Sequence, residues 1–342
     1  MTYKVIELFA GAGGLALGME MAGLEKEALV EIDKDCVNTM KYNRPKWKII
    51  HNDIKNIDFS NMKADIVSGG FPCQPFSYSG KKLGFEDTRG TMFFEFARCI
   101  KEVQPKIILA ENVEGLLRHD NGNTLKTILN VLNELGYKTK YKVVNSLNHG
   151  VAQKRKRLII IGTKEEYEFE FPVENERIKT LRDVLKNVPD SDGMKYSEKR
   201  KKILDLVPPG GCWVDLPIEI QKEFMGKSFF SGGGKRGMAR RLSWNEPCLT
   251  LTTSPSQKQT ERCHPDETRP FTVREYARIQ SFPDNWEFKG TISSQYKQIG
   301  NAVPVLVGKA LGEQLIKCLD KETIPLVEMQ AEKNLIAYIH NQ

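Results

Sequence analysis

YKVIELFAGAGG, residues 3–14, begins as an apolar run, Tyr3 to Phe9, ends in a glycine turn and passes straight into a helical pattern, Leu15 to Ala22. A strand that stops in glycines lets the backbone turn tightly and approach a ligand at the edge of a sheet. Further apolar, β-rich runs follow at 28–31, 65–69, 106–111, 140–145 and 157–162, separated by helical stretches. That alternation predicts an α/β fold, a mostly parallel, doubly wound sheet with helices on both faces. Glu31 ends the second run, where doubly wound folds grip a ribose hydroxyl, and Asp53 follows a third apolar stretch. On these residues alone the turn fits NAD, S-adenosylmethionine or a purely structural role, since Gly11-x-Gly13-x-x-Ala16 only loosely satisfies the dinucleotide fingerprint.

The remaining chain bounds the answer. With 342 residues, 40% apolar and 28% charged, it reads as a folded protein of two lobes rather than as disorder, collagen or coiled coil. No apolar stretch has the length of a membrane span and no basic segment precedes an apolar one at the start, so a cytoplasmic, membrane-free protein is expected. Seven cysteines without a framework of spacings suit free thiols, and no Cys/His cluster supports a metal. A net charge of +7 favours a polyanionic partner without requiring one. From about residue 165 the texture changes to glycine, proline and polar runs, and regular patterning returns at 272–280. After Pro304, Val307, Leu311, Leu315 and Leu319 share one helical face, so the tail is expected to pack back on the first lobe. The divisions expected are 1–175 for catalysis and cofactor, 176–298 for a smaller, loop-rich lobe, and 299–342 for the returning segment.

Three groups carry candidate chemistry. GGFPCQPFS, 69–77, follows the run 65–69, which aims Cys73 at the carboxyl edge of the sheet between stiffening prolines, with a basic, glycine-bearing stretch after it. A lone cysteine in a tight turn can equally be a small hydrophobe. Glu111 ends the run 107–110 and faces the same edge; a largely buried glutamate can hold a proton near neutrality and give it to a ring nitrogen, although an acid at a helix start has the same appearance. In QKRKR, 153–157, alternation puts Gln153, Arg155 and Arg157 on one strand face, toward the pocket.

Together these segments, in this order, resemble the C5-cytosine DNA methyltransferases, especially the compact bacterial enzymes of restriction-modification systems. The likeness covers 1 to about 165 and about 269 to 320, and includes FAGAGG, GGFPCQPFSYSGKKLGFEDTRGT, ENV with HDNGNTL, QKRKR, REYARIQSFPD and QIGNAVP. It implies the Rossmann-like S-adenosylmethionine-dependent methyltransferase fold with a target-recognition domain. It also implies S-adenosylmethionine as cofactor, S-adenosylhomocysteine as product and no metal. By this resemblance Phe9, Gly11, Gly13, Gly14, Leu15, Glu31, Ile32, Asp53, Ile54, Pro72, Asn301 and Ala302 form the cofactor pocket, Glu31 holding the ribose and Asp53 the adenine amino group. Many relatives have an aromatic residue where this chain has Ile32, so adenine is expected to rest on aliphatic packing.

The same resemblance makes Cys73 the nucleophile at cytosine C6, Glu111 the acid at N3, and Arg157, with Arg155 less directly, the holders of O2 and the nearby backbone. Gln74, Ser77, Ser79, Lys81 and Arg89 are expected to touch DNA around an extruded nucleotide. In the recognition lobe the expected readers are Lys235, Arg236, Arg240 and Arg241, in a basic run after three glycines, with Ser254 and Gln257. The implied partner is double-stranded DNA, with a monomeric enzyme and a cognate restriction endonuclease acting on the same site without contact. Three rivals stand beside this reading: the tRNA-methylating branch of the family, a catalytically dead DNA-binding regulator, and an NAD dehydrogenase.

Overall fold

The computed structural model describes residues 2–72, 91–230 and 237–321. Its first half runs β1 (Lys4–Leu8), α1 (Gly14–Ala22), β2 (Glu25–Glu31), α2 (Lys34–Asn43), β3 (Ile49–His51), β4 (Ile66–Gly69), α3 (Met92–Val103), β5 (Ile107–Val113), α4 (Asn123–Glu134), β6 (Lys138–Asn145), β7 (Gln153–Lys154) and β8 (Lys156–Thr163). The second half contains α5 (Leu181–Val184), α6 (Glu198–Leu204), α7 (Ile218–Met225), β9 (Cys248–Leu249), α8 (Val273–Ile279), α9 (Ile292–Asn301) and α10 (Val305–Asp320). Each of the six apolar runs of the first half is a strand.

Seven strands form one sheet in the order β3-β2-β1-β4-β5-β8-β6. All neighbours pair parallel except β8, which runs antiparallel to both β5 and β6. The reversal has a local cause. Between Asn145 and Lys156 the chain has room for a single helical turn, Ser146–His149, and the two-residue β7, whereas a parallel return needs a crossover of a dozen or more residues.

Strand alternation sorts the core into two layers. Val5, Ile66, Ile107, Leu109, Ile159 and Ile161 face Leu15 and Met19 of α1 and Val307, Leu311, Leu315 and Leu319 of α10. Their neighbours Ile6, Leu8, Val67, Ile108, Ala110 and Ile160 face Phe93, Phe96 and Ile100 of α3 and Ile128, Val131 and Leu132 of α4. Both faces are therefore covered, which is why these strands read as continuous apolar runs. α10 packs on α1 and the sheet through Val307, Leu311, Leu315 and Leu319.

A third core joins Ala12 and Leu17 to Leu181, Leu185, Leu251, Phe271, Tyr276, Ile299 and Val305. Only a smaller cluster, with Leu204, Val207, Trp213, Leu216, Met225, Ala239 and Cys263, belongs wholly to the second half. Packing thus crosses the divisions at 175 and 298: α8 and α9 lie against the glycine turn, and β9 pairs parallel with β7.

Candidate active site

The sheet order reverses between β1 and β4: the chain winds outward through β2 to β3 on one side, and through β4 to β5 on the other. Loops leaving such a switch point diverge and open a crevice at the carboxyl ends of the strands. A cavity of about 510 Å³ lies there. Its wall is built from the ends of β1 (Phe9, Gly11), β2 (Glu31, Ile32, Asp33), β4 (Gly70, Phe71, Pro72) and β5 (Glu111, Asn112), closed by Lys297, Gln298, Asn301 and Ala302.

Backbone geometry explains the glycine turn. Gly13 caps α1 in the left-handed region, φ 80°, a conformation glycine adopts without steric cost. Phe9 also has a positive φ, 56°; such strain in a bulky residue persists only where the surroundings impose it, commonly at sites. Next along the wall, the Glu31 carboxylate accepts backbone N–H bonds from Gly11 (2.7 Å), Ile32 (2.9 Å) and Asp33 (2.8 Å). Ile32 is 63% exposed beside it. Asp33 caps α2 and is bridged by Lys297 at 3.0 Å, so α9 is clasped to the start of α2.

Glu7 reaches the cavity from β1, 2% exposed, and among the described residues its Oε2 has no hydrogen-bond partner. Burial pushes the carboxyl well above its ordinary range and likewise pulls the neighbouring Lys26 ammonium down.

At the opposite wall Arg157 Nε meets Glu111 Oε1 at 2.8 Å. The antiparallel register sets Arg157 opposite Val113, so the two side chains meet diagonally across β5 and β8. Burial raises the Glu111 carboxyl above its ordinary value, and Arg157 and Arg155 pull it part of the way back. A Cβ at position 70 would lie 2.8 Å from Glu111 Oε2, so Gly70 leaves that oxygen room. Asn112 donates from Nδ2 to the Phe71 carbonyl at 2.9 Å, and the Phe71 ring sits against Phe93 and Phe96. The chain is thereby anchored two residues ahead of Cys73.

Among the expected cofactor residues, Phe9, Gly11, Gly14, Leu15, Glu31, Ile32, Pro72, Asn301 and Ala302 line the cavity. Gly13, Asp53 and Ile54 do not: Gly13 supports the turn from behind, against Met40 and Trp47, Asp53 caps the short helix Ile54–Asn56, and Ile54 is buried in the core. The lining also includes Glu7, Cys36, Lys297 and Gln298, which the sequence did not single out. Lys297 and Asp33 stand 264 residues apart, with no local signal linking them.

Arg155 departs from expectation. The alternation of QKRKR holds, with Gln153 and Arg155 buried between exposed lysines, but Arg155 does not line the cavity. Its guanidinium donates to the carbonyls of Leu251 (3.1 Å) and Gly300 (2.8 Å), and it influences Glu111 only through its charge.

Arg241 of the basic run is corrected more sharply. Arg241 is 5% exposed and donates to the carbonyls of Val207, Leu204 and His264 and to Thr268 Oγ1, so it braces the small core and has no face for DNA. Arg240 spends its guanidinium on the Gly210 carbonyl and Glu246. Arg241→Ala is expected to cost about 2–3 kcal/mol of stability, because buried carbonyls lose their donor. A denaturant midpoint that falls at constant m, with the salt dependence of DNA binding unchanged, would show it. Ser254 is half-buried against Met194, and Gln257 is exposed. Cys73, Gln74, Ser77, Ser79, Lys81, Arg89, Lys235 and Arg236 lie outside the described residues.

Among the described residues, no group of three His, Cys, Asp or Glu side chains could hold a metal ion and no helix is long and apolar enough to cross a membrane. The chain is 57% identical over 330 residues to the Type II methyltransferase M.Sau96I of Staphylococcus aureus, covering 93% of this chain and 77% of that one. It is 56% identical over 333 residues to the Type II methyltransferase M.Eco47II of Escherichia coli, covering 93% and 80%. In fold it resembles the structure of the Entamoeba histolytica methyltransferase EhMeth, with a TM-score of 0.66 at 18% identity over 93% of this chain and 99% of that one. The model of the C-5 cytosine-specific DNA methylases matches residues 3–317, and the chain belongs to that family.

Proposed function

We propose that this chain methylates C5 of a cytosine within a short duplex DNA site, using S-adenosylmethionine, through a covalent bond between Cys73 and cytosine C6. The observation that carries the reading is that the Glu111–Arg157 pair and the Gly11–Glu31 corner face one cavity, with Gly70, Phe71 and Pro72 leading along its wall to position 73.

The residues present fit the cofactor. Gly11 leaves open space where a Cβ would stand, Ile32 offers an exposed apolar face, and Glu7 presents to the cavity a buried oxygen without a partner among the described residues. Phe9, Gly11, Glu31, Ile32, Asn301 and Ala302 would hold it. When bound, S-adenosylmethionine supplies a methyl group on a positively charged sulfur.

Cytosine C5 is a poor nucleophile until a thiolate adds at C6 and drives the ring electrons toward C5. Cys73 performs that addition. Glu111, whose carboxyl burial raises above its ordinary value, gives its proton to N3 and so neutralises the charge that develops on the ring. Arg157 orients Glu111 and faces the ring oxygen O2. Once C5 carries the methyl group, loss of the C5 proton to water re-forms the C5–C6 double bond and expels Cys73 as thiolate, and the N3 proton returns to Glu111. The six other cysteines are buried free thiols; of these Cys36 lines the cavity, and burial pushes its thiol well up, away from the reactive thiolate. Because C6 is stacked within a duplex, the base must be flipped out, at a cost of a few kcal/mol.

Duplex DNA is the substrate of this reading, and a restriction endonuclease cutting the same site is its functional partner. Bisulfite sequencing of a plasmid from cells expressing the chain tests it. One recurrent short site should carry protected cytosines, and methyl label entering tRNA but not duplex DNA would overturn it.

A further inference from the structure

Buried polar side chains meet where the recognition lobe joins the sheet. Gln153, Gln280 and Tyr276 are fully buried and Arg155 is 1% exposed. The Leu251 N–H donates to Gln153 Oε1 (2.9 Å), Gln153 Nε2 donates to Gln280 Oε1 (2.9 Å), and Gln280 Nε2 donates to the carbonyls of Ile299 (2.7 Å) and Ala302 (3.2 Å). Each amide is engaged at both ends, so the relay has one direction. Arg155 runs beside it, from the Leu251 carbonyl to the Gly300 carbonyl. Tyr276 Oη donates to the Thr252 carbonyl (2.8 Å) and accepts from the Thr252 N–H (3.2 Å), while Thr250 Oγ1 donates to the Lys154 carbonyl (2.6 Å).

One end of this junction is the backbone of 250–252, which leads directly into Ser254 and Gln257 of the recognition lobe. The other end is the last turn of α9, where Asn301 and Ala302 line the cofactor cavity. There is no slack between them, because a Cβ on Gly300 would collide with the Thr252 carbonyl. Apolar packing could join the two segments without the penalty of burying amides and a guanidinium, but it would not fix their register through directional bonds. Displacing 250–252 breaks bonds to Gln153 and Arg155 together, and the same two side chains lead to α9.

We propose that the Gln153–Gln280 relay couples the DNA-reading segment to the rim of the cofactor cavity, so that duplex DNA and cofactor tighten each other's binding through it. Gln153 and Gln280 are positioning residues, and the inference rests on the methyltransferase reading. The test is a thermodynamic cycle. The Kd of S-adenosylhomocysteine is measured by calorimetry with and without a duplex carrying the bisulfite-mapped site, for the natural chain, Gln280→Met and Gln153→Met, each checked for folding by its thermal melt.

In the natural chain the duplex should tighten S-adenosylhomocysteine about fivefold or more, the lower end of ordinary coupling between sites. In either folded variant the ratio should fall to within about twofold of unity, whatever happens to the Kd without DNA. A merely structural role would move both constants alike and keep the ratio. A folded variant that retains the natural ratio, or a natural chain whose ratio is unity, overturns the coupling. If the natural chain neither binds S-adenosylhomocysteine nor methylates any duplex, the methyltransferase reading itself fails.

Discussion

Cys73→Ala is expected to lower methyl transfer by at least about 10⁴-fold while duplex DNA and S-adenosylhomocysteine still bind, because removing a covalent nucleophile deletes a step rather than a contact. Single-turnover transfer of labelled methyl groups, beside filter binding of the same duplex, separates the two effects. Six of the seven cysteines are buried free thiols, and burial pushes the thiol pKa of Cys248 to about 12 and that of Cys318 to about 11. Neither Cys248 nor Cys318 is poised to substitute as a thiolate near neutrality. Residual methylation at the natural rate would remove the covalent step from the account.

Glu111→Gln should cost about 10²- to 10⁴-fold in kcat, the usual worth of a positioned general acid. The pH profile distinguishes an acid from a spacer. Glu111 must be protonated to give N3 its proton, and burial raises its folded pKa, so kcat should fall as pH climbs through that raised value. In Glu111→Gln this limb should disappear. Arg157→Leu removes the charge that pulls the carboxyl back down, so the limb should move to higher pH even as the maximal rate drops. Stability carries the same sign. A carboxyl whose folded pKa lies above its unfolded value stabilises the fold below the unfolded pKa, and that contribution is lost as pH rises through the folded one. The melting temperature of Glu111→Gln should therefore fall less over that interval than that of the natural chain.

What the sequence revealed depended on how far each signal travels along the chain. The strand-turn-helix at 3–22 and the acids at strand ends are local patterns, and the structure brings Phe9, Gly11, Glu31 and Glu111 to one cavity. The parallel core was legible because strands buried on both faces cannot alternate. Lone side chains that bridge distant segments were not legible. A basic run looks alike whether it is solvated or folded inward, and only the carbonyls of Leu204, Val207 and His264, collected by the fold, show that Arg241 is a core brace. Gln153 and Gln280 are 127 residues apart, so nothing local marks their bond. The packing of α8 and α9 against Ala12 and Leu17 was likewise invisible, because an amphipathic helix does not name its partner.

A transient bond from the Cys73 sulfur to cytosine C6 is captured by duplex DNA with 5-fluorocytosine at the bisulfite-mapped position. After methyl transfer no proton can leave C5, so elimination is blocked and the adduct should persist through denaturing electrophoresis, with peptide mass analysis placing the modified nucleotide on Cys73. A natural chain that methylates ordinary duplex yet forms no denaturant-stable adduct with the fluorinated one, or an adduct mapping to another residue, would contradict the account.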